Sequence, residues 1–253
     1  MSTLPQAVFI GVDFGWYGKP SGLASIEMSG GGLILRKSVC LNETEDILRW
    51  IQSEVGGGNA IVAVDAPLVI ENPTGIRDVE RQLNSEFWQF HAYCHASNLG
   101  RPFAQSVLSF SRRLTDIGFR HGAEMKARQS GRFQIEVYPH AATVKLFDLP
   151  RIVKYKRGRR EAREKELHRL RELMLSRLPT LNPALSLRLP SVPDKGSLKP
   201  VEDQIDAVLC AYIAAHWWFW GIGRNHVYGC GETGYILVPF PRGYFHGNTS
   251  PCG

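Results

Sequence analysis

Disulfide and zinc chemistry have little to draw on in this sequence. Its five cysteines, at positions 40, 94, 210, 230 and 252, are odd in number and form no Cys-x-x-Cys pair. That excludes a disulfide framework and a four-cysteine zinc site, and it fits a reducing, cytoplasmic location. Long apolar runs are missing as well. The longest candidate, Ala207 to Trp220, contains His216 and falls short of the roughly 18–20 residues that a bilayer span needs, so no membrane partner is expected. Met1 to Ala7 carries no basic side chain, and the apolar stretch behind it is broken by Asp13, which argues against a secretory signal. The Gly18–Lys19 pair runs into Pro20 instead of Ser or Thr, so there is no phosphate-cradling P-loop. No Gly-x-Ser-x-Gly occurs, which leaves a hydrolase nucleophile elbow without support.

What is present describes a globular chain. The 253 residues are 43% hydrophobic and 21% charged, enough for one domain with a sizeable core. The net charge of +6 is uneven: Arg151 to Arg177 holds eleven Lys or Arg against four Glu, a net +7. A concentrated basic stripe attracts phosphate backbones. Its dense part, Lys154 to Arg160 (KYKRGRR), interleaves Tyr155 with cations, a composition suited to base stacking and phosphate contact on an exposed loop. Lys154, Lys156, Arg157, Arg159 and Arg160 are the candidate substrate-binding residues. The bland alternative for the second half of the stretch is a solvated helix face with pairs such as Glu161 and Lys165.

The pattern of elements predicts an α/β fold. Val8 to Asp13, Gly22 to Met28 and Leu33 to Cys40 read as three strands joined by tight Gly-rich turns, hence antiparallel. A helix over Glu43 to Val55, capped by Asn42 or Thr44, precedes a buried strand, Ala60 to Asp65, and this order implies parallel pairing. Residues 71 to 130 read as a helical insertion, with one helix bearing Val79, Leu83, Phe87 and Phe90 and a second from Ala104 to Ile117. Arg132 to Pro139 is a strand, Ala141 to Leu149 a short helix, and Arg160 to Leu178 a longer one. Proline-rich residues 179 to 200 form an irregular connection. Val201 to Gly221 is a helix, and Tyr235 to Pro239 a last strand before a Gly/Pro-rich tail.

Carboxylates fall at the ends of these elements. Asp13 and Asp65 close the two buried strands, and Asp203 and Asp206 share a face in the first turns of the long helix. Ligands in open α/β sheets bind beyond the carboxyl ends of strands. Acidic side chains gathered there repel one another unless a cation intervenes, and hard oxygen donors suit Mg2+ or Mn2+. Taken singly, Asp13 reads as a turn residue and Asp203 as a helix-start acid. Asp206 and Asp65, flanked by apolar residues, are costly to bury without such a purpose. His91 and His95, four apart on a presumed helix, have zinc-like spacing but no H-E-x-x-H motif. The aromatic run HWWFWG at 216–221 reads as core packing.

The motifs GVDFGW (11–16), VAVDAPL (62–68), Arg77/Asp78 with Arg81, EVYPHAA (136–142), YK (155–156), DQIDAVLCAYIAA (203–215) and GYILVP (234–239) together resemble the domain of unknown function 429 family, described as ribonuclease H-like nucleases. The helix DQIDAVLCA is similar to that of Holliday-junction resolvases. The resemblance implies a ribonuclease H-like mixed sheet, an antiparallel three-strand meander plus parallel strands, flanked by helices. It also implies a metal-dependent nuclease acting on DNA or RNA, with Asp13, Asp65, Asp203 and Asp206 as metal ligands. Glu136, in the strand EVYP, would be a further catalytic carboxylate. Arg77, Asp78 and Arg81 would make either a secondary polar site or a helix-start ion pair. The expected products are a 3′-hydroxyl and a 5′-phosphate. Two other functions stay open: an actin-like or sugar-kinase-type phosphotransferase, which usually needs two copies of this fold, and a non-catalytic nucleic-acid binder. Monomer and homodimer are equally open.

Overall fold

The computed structural model describes residues 6–243. Cys252 and the end of the Gly/Pro-rich tail lie outside them. Seven strands form one mixed sheet. Strand β1 (Ala7–Asp13) pairs antiparallel with β2 (Ser21–Ser29), which pairs antiparallel with β3 (Gly32–Leu41). On its other edge β1 runs parallel to β4 (Asn59–Val64), and β4 runs parallel to β6 (Arg132–Glu136). Two-residue strands extend the edges: β5 (Arg120–His121) beside β6, and β7 (Leu185–Ser186) beside β3. The order β5-β6-β4-β1-β2-β3-β7 is the expected meander followed by parallel strands, and it bears out the α/β, ribonuclease H-like architecture. The prolines after residue 178 had suggested no strand at β7, and the 71–130 insertion had suggested none at β5.

Helices cover both faces. Alternate residues of a strand point to opposite faces. Ile10, Val12, Val62 and Val64 pack with α1 (Thr44–Val55) and α3 (Ala104–Asp116). Phe9, Ile61, Ala63, Phe133 and Ile135 pack with α5 (Arg160–Arg177) and α6 (Lys199–Trp220). Helix α1 starts at Glu43 with no side-chain cap, so neither Asn42 nor Thr44 plays that part. The insertion is less helical than its sequence suggests. After α2 (Asp78–Phe87) the chain makes one 3-10 turn, and His91 takes a left-handed backbone with φ 58°. His91 and His95 therefore do not share a helix face, which removes the basis of the zinc reading. The hairpin of β8 (Asn225–Cys230) and β9 (Gly234–Pro239), of which the sequence suggested only the second strand, packs with α2 and with α4 (Pro139–Phe147).

Helix α6 is the central element of the core. The chain from Lys199 to Arg224 is long and apolar enough to cross a membrane, yet 83% of its apolar window is buried inside the fold. Trp217 and Trp218 are buried and donate hydrogen bonds to the carbonyls of Gly122 and Gln129, 2.9 and 3.1 Å. This is the packing role expected of the aromatic run. Two glycines let α6 lie against the sheet. A Cβ at Gly11 would overlap the Ala207 carbonyl and the Ala211 nitrogen, and one at Gly22 would overlap the Asp203 carbonyl.

Candidate active site

Strand parity and register bring the acids together. In β1, Asp13 has the parity of Phe9 and Gly11 and so faces α6. In β4, Asp65 follows the parity of Ile61 and Ala63 and faces the same way. The parallel register sets Gly11 opposite Ala63 and Val12 opposite Val64, so Asp13 and Asp65 end neighbouring strands side by side. The close seat of α6 on Gly11 and Gly22 then brings Asp203 and Asp206 over the same strand ends. Asp206 is fully buried, Asp203 is 1% exposed and Asp13 8%. Burial pushes the Asp13 carboxyl well above its ordinary range; Lys156 opposes this, and Asp206, Asp65 and Asp203 add to it. Burial likewise raises Asp65, to about 6, against the pull of Lys156.

Two lysines stand among these acids. Lys156 Nζ lies 2.8 Å from Asp206 Oδ2, an ion pair without hydrogen-bond alignment, and the Tyr155 hydroxyl donates to Asp206 Oδ1 at 2.5 Å. Lys199 bonds Asp203 one helical turn away. Burial lowers the Lys156 ammonium, but Asp206, Asp13 and Asp65 outweigh it, so the lysine stays charged. Sequence reasoning placed Lys156 toward phosphate and missed Lys199, although the Lys199–Asp203 spacing of four residues on one helix is a recognisable pairing signal. The stacking expectation for Tyr155 is corrected: its ring is 2% exposed and packs in the core. Asp206 explains the inward turn, since a buried carboxylate needs donors.

Glu136 has the opposite strand parity and does not join the group. It lies between Ile135 and Val137, both on the α6 face, so its own side chain points to the insertion. There it accepts the Leu68 N–H at 2.9 Å and the Arg77 guanidinium at 3.0 and 2.6 Å. Arg77 also bonds Glu80 at 2.9 Å and the Val69 carbonyl at 2.9 Å. Burial disfavours the guanidinium charge, but Glu136 and Glu80 more than offset this and raise its pKa. Arg81 and Asp78 form an exposed pair. The polar site suggested by these residues is thus a buried Glu80–Arg77–Glu136 network beside a surface ion pair.

A cleft of about 1040 Å3 opens from Asp13 and Asp65 toward the insertion, with Trp16, Tyr93, Arg101 and Arg157 among its walls. Arg157 reaches across to His95 at 3.2 Å. His140, another residue the sequence reading left without a role, also lines the cleft; burial and Lys156 lower it to about 4, so its ring is neutral near pH 7. Lys154 and Arg159 are exposed. Arg160 is engaged by the carbonyls of Gly196 and Pro193. Along α5 the ion pairs include Arg160–Glu164, Arg163–Glu202, Arg169–Glu166 and Arg171–Glu172.

The family model described as protein of unknown function, domain of unknown function 429, matches residues 11–229. The chain belongs to that family. No curated protein and no solved structure matches it. In this member of the domain of unknown function 429 family, the matched span contains every acid and lysine of the site.

Whether the residues fit a divalent cation can be judged from their atoms. The donors are hard carboxylate oxygens; Asp203 Oδ2 is buried without a hydrogen-bond partner, as an oxygen awaiting a cation would be, while Asp206 Oδ2 faces the Lys156 ammonium without a hydrogen bond. The spacing is not that of a ready-made cage: among the described residues no three His, Cys, Asp or Glu side chains gather closely enough to hold a metal. The donor chemistry fits; at present the Lys156 and Lys199 ammonium groups are the cations paired with Asp206 and Asp203.

Proposed function

We propose that the protein is a metal-dependent phosphodiesterase acting on nucleic acid. The observation that carries this reading is the convergence of Asp13, Asp65, Asp203 and Asp206 beyond the carboxyl ends of β1 and β4, with Asp203 Oδ2 buried without a hydrogen-bond partner and Asp206 Oδ2 faced only by the Lys156 ammonium. These four residues would hold Mg2+ or Mn2+. When bound, the ion would supply an activated water and charge stabilisation for an in-line displacement at phosphorus. The chain's own residues do the rest. Lys154, Arg157 and Arg159 supply exposed positive charge along the approach to the cleft, where phosphates would be steered. The Trp16 and Tyr93 rings offer faces for unpaired bases in the same cleft. Arg77 fixes Glu136, which in turn holds the Leu68 backbone just beyond Asp65, so Glu136 acts on position and not on the phosphate.

A second reading is a nucleic-acid binder without catalysis. It is favoured by the lysines that already neutralise Asp206 and Asp203. A cytoplasmic setting accompanies the nuclease proposal, and the four described cysteines are free.

The test is cleavage of branched, hybrid and single-stranded DNA and RNA with Mn2+, by the intact protein and by Asp13→Ala. We expect cleavage by the first and none by the second, with both folded by circular dichroism. Undiminished cleavage by Asp13→Ala removes Asp13 from the chemistry. Metal-independent binding without cleavage by either protein establishes the binder.

A further inference from the structure

We propose that Lys156 is the resident counter-ion of the acidic site and exchanges with a divalent cation. The inference rests on the metal-dependent reading above and extends it to how the site is loaded. The acids are fixed: they sit on β1, β4 and α6, and Asp206 and Asp203 are 0% and 1% exposed. Lys156 is different. It rides on the irregular segment between α4 and α5, and its side chain is 32% exposed, entering from the cleft.

The neighbouring Tyr155 anchors that segment, with its ring in the core and its hydroxyl on Asp206 Oδ1. The ammonium is therefore delivered to one place, 2.8 Å from Asp206 Oδ2 and within the pull of Asp13 and Asp65. It meets Asp206 Oδ2 as a charge, without an aligned hydrogen bond, and it leaves Asp203 Oδ2 unsatisfied. A part-exposed cation that neutralises the acids without completing their coordination is a placeholder. A divalent ion would compete for the same oxygens, and the displaced ammonium would swing into the cleft that a phosphate enters.

Exchange of this kind has a thermodynamic signature. Anything that draws Lys156 away favours the metal, and the metal favours whatever receives Lys156. Phosphate in the cleft and cation among the acids would then reinforce each other. The site, held shut by its own lysine, would bind metal weakly.

The experiment is Mn2+ titration by calorimetry of the intact protein, Lys156→Met and Lys156→Arg, with circular dichroism to verify folding. Removing the competing charge in Lys156→Met should tighten Mn2+ binding by at least about tenfold, the equivalent of about 1.4 kcal/mol. Lys156→Arg should bind no tighter than the intact protein. Thermal melts give a second readout that survives a poorly folded variant: without metal Lys156→Met should melt lower, and Mn2+ should raise its Tm more than that of the intact protein. Equal or weaker binding by Lys156→Met, with clear binding by the intact protein, overturns the exchange and leaves the metal reading standing. Absence of binding and of any Mn2+ effect on Tm in all three proteins overturns both.

Discussion

Replacing Arg77 with methionine removes the only side-chain cation that contacts Glu80 and Glu136, among the described residues. Arg77, Glu80 and Glu136 are 3%, 1% and 3% exposed. Glu136 would keep the Leu68 N–H, and Glu80 would keep the backbone N–H groups of Ser97 and Arg77. Each carboxylate would lose its charge partner in a nearly buried site at the wall of the cleft. Breaking a buried pair from one side typically costs about 3–5 kcal/mol. For a domain of this size, about 2–4 °C of Tm accompanies each kcal/mol, so Arg77→Met should melt about 6–20 °C lower. Glu136→Gln keeps the shape and the Leu68 contact but loses the charge, and should cost about 1.5–3 kcal/mol. Urea unfolding of both variants and of the double variant gives the coupling energy directly. In the nuclease assay, activity of Glu136→Gln should track its folded fraction. A loss below about 1 kcal/mol for Arg77→Met, or a fully stable Glu136→Gln that is catalytically dead, refutes the assignment of Glu136 to structure.

Two further outcomes test the seating of the acids. Asp65 is raised from 3.8 to about 6 by burial, with Lys156 opposing and Asp206 adding; folded protein therefore keeps a proton that the unfolded chain has lost between these values. Relative to Asp65→Asn, the intact metal-free protein should lose stability as pH rises from about 4 to about 6, by up to about 3 kcal/mol, and a pH-independent difference in urea unfolding contradicts the burial of that carboxyl. Gly11→Ala should push α6 off β1, at about 1–3 kcal/mol, and weaken Mn2+ binding by displacing Asp206; an unchanged Tm and affinity would mean that the contact of α6 with Gly11 does not set the site.

The order of elements was legible because their periods differ. Val8 to Asp13 and Ala60 to Asp65 read as buried strands, and the Gly-rich turns fixed the meander. The short strands were not legible. β5 and β7 pair two residues each, and such pairing is decided by which chain lies alongside, not by local preference. The 88–98 stretch shows the opposite failure. Phe90 and Cys94 continue the apolar spacing of α2 and pack in the same cluster, so the hydrophobic pattern survives while the backbone leaves the helix at His91.

The site was legible to the extent that parity carries it. Phe9, Gly11 and Asp13, with Ile61, Ala63 and Asp65, put two acids on one face. The same alternation, Phe133, Ile135 and Val137 against Gln134 and Glu136, already sent Glu136 to the other. Charge was harder to read, because a basic stretch does not say which of its cations turn inward. Four acids beside one another demand compensation during folding, before any substrate or ion arrives. Lys199 supplies part of it from one turn away, and the basic stretch supplies Lys156. Arg163 is held by Glu202, and Arg160 by two carbonyls and Glu164. The excess of positive charge that suggests a phosphate-binding stripe is thus divided. One part is paired with the acidic site from within, and Lys154, Arg157 and Arg159 stay exposed at the surface.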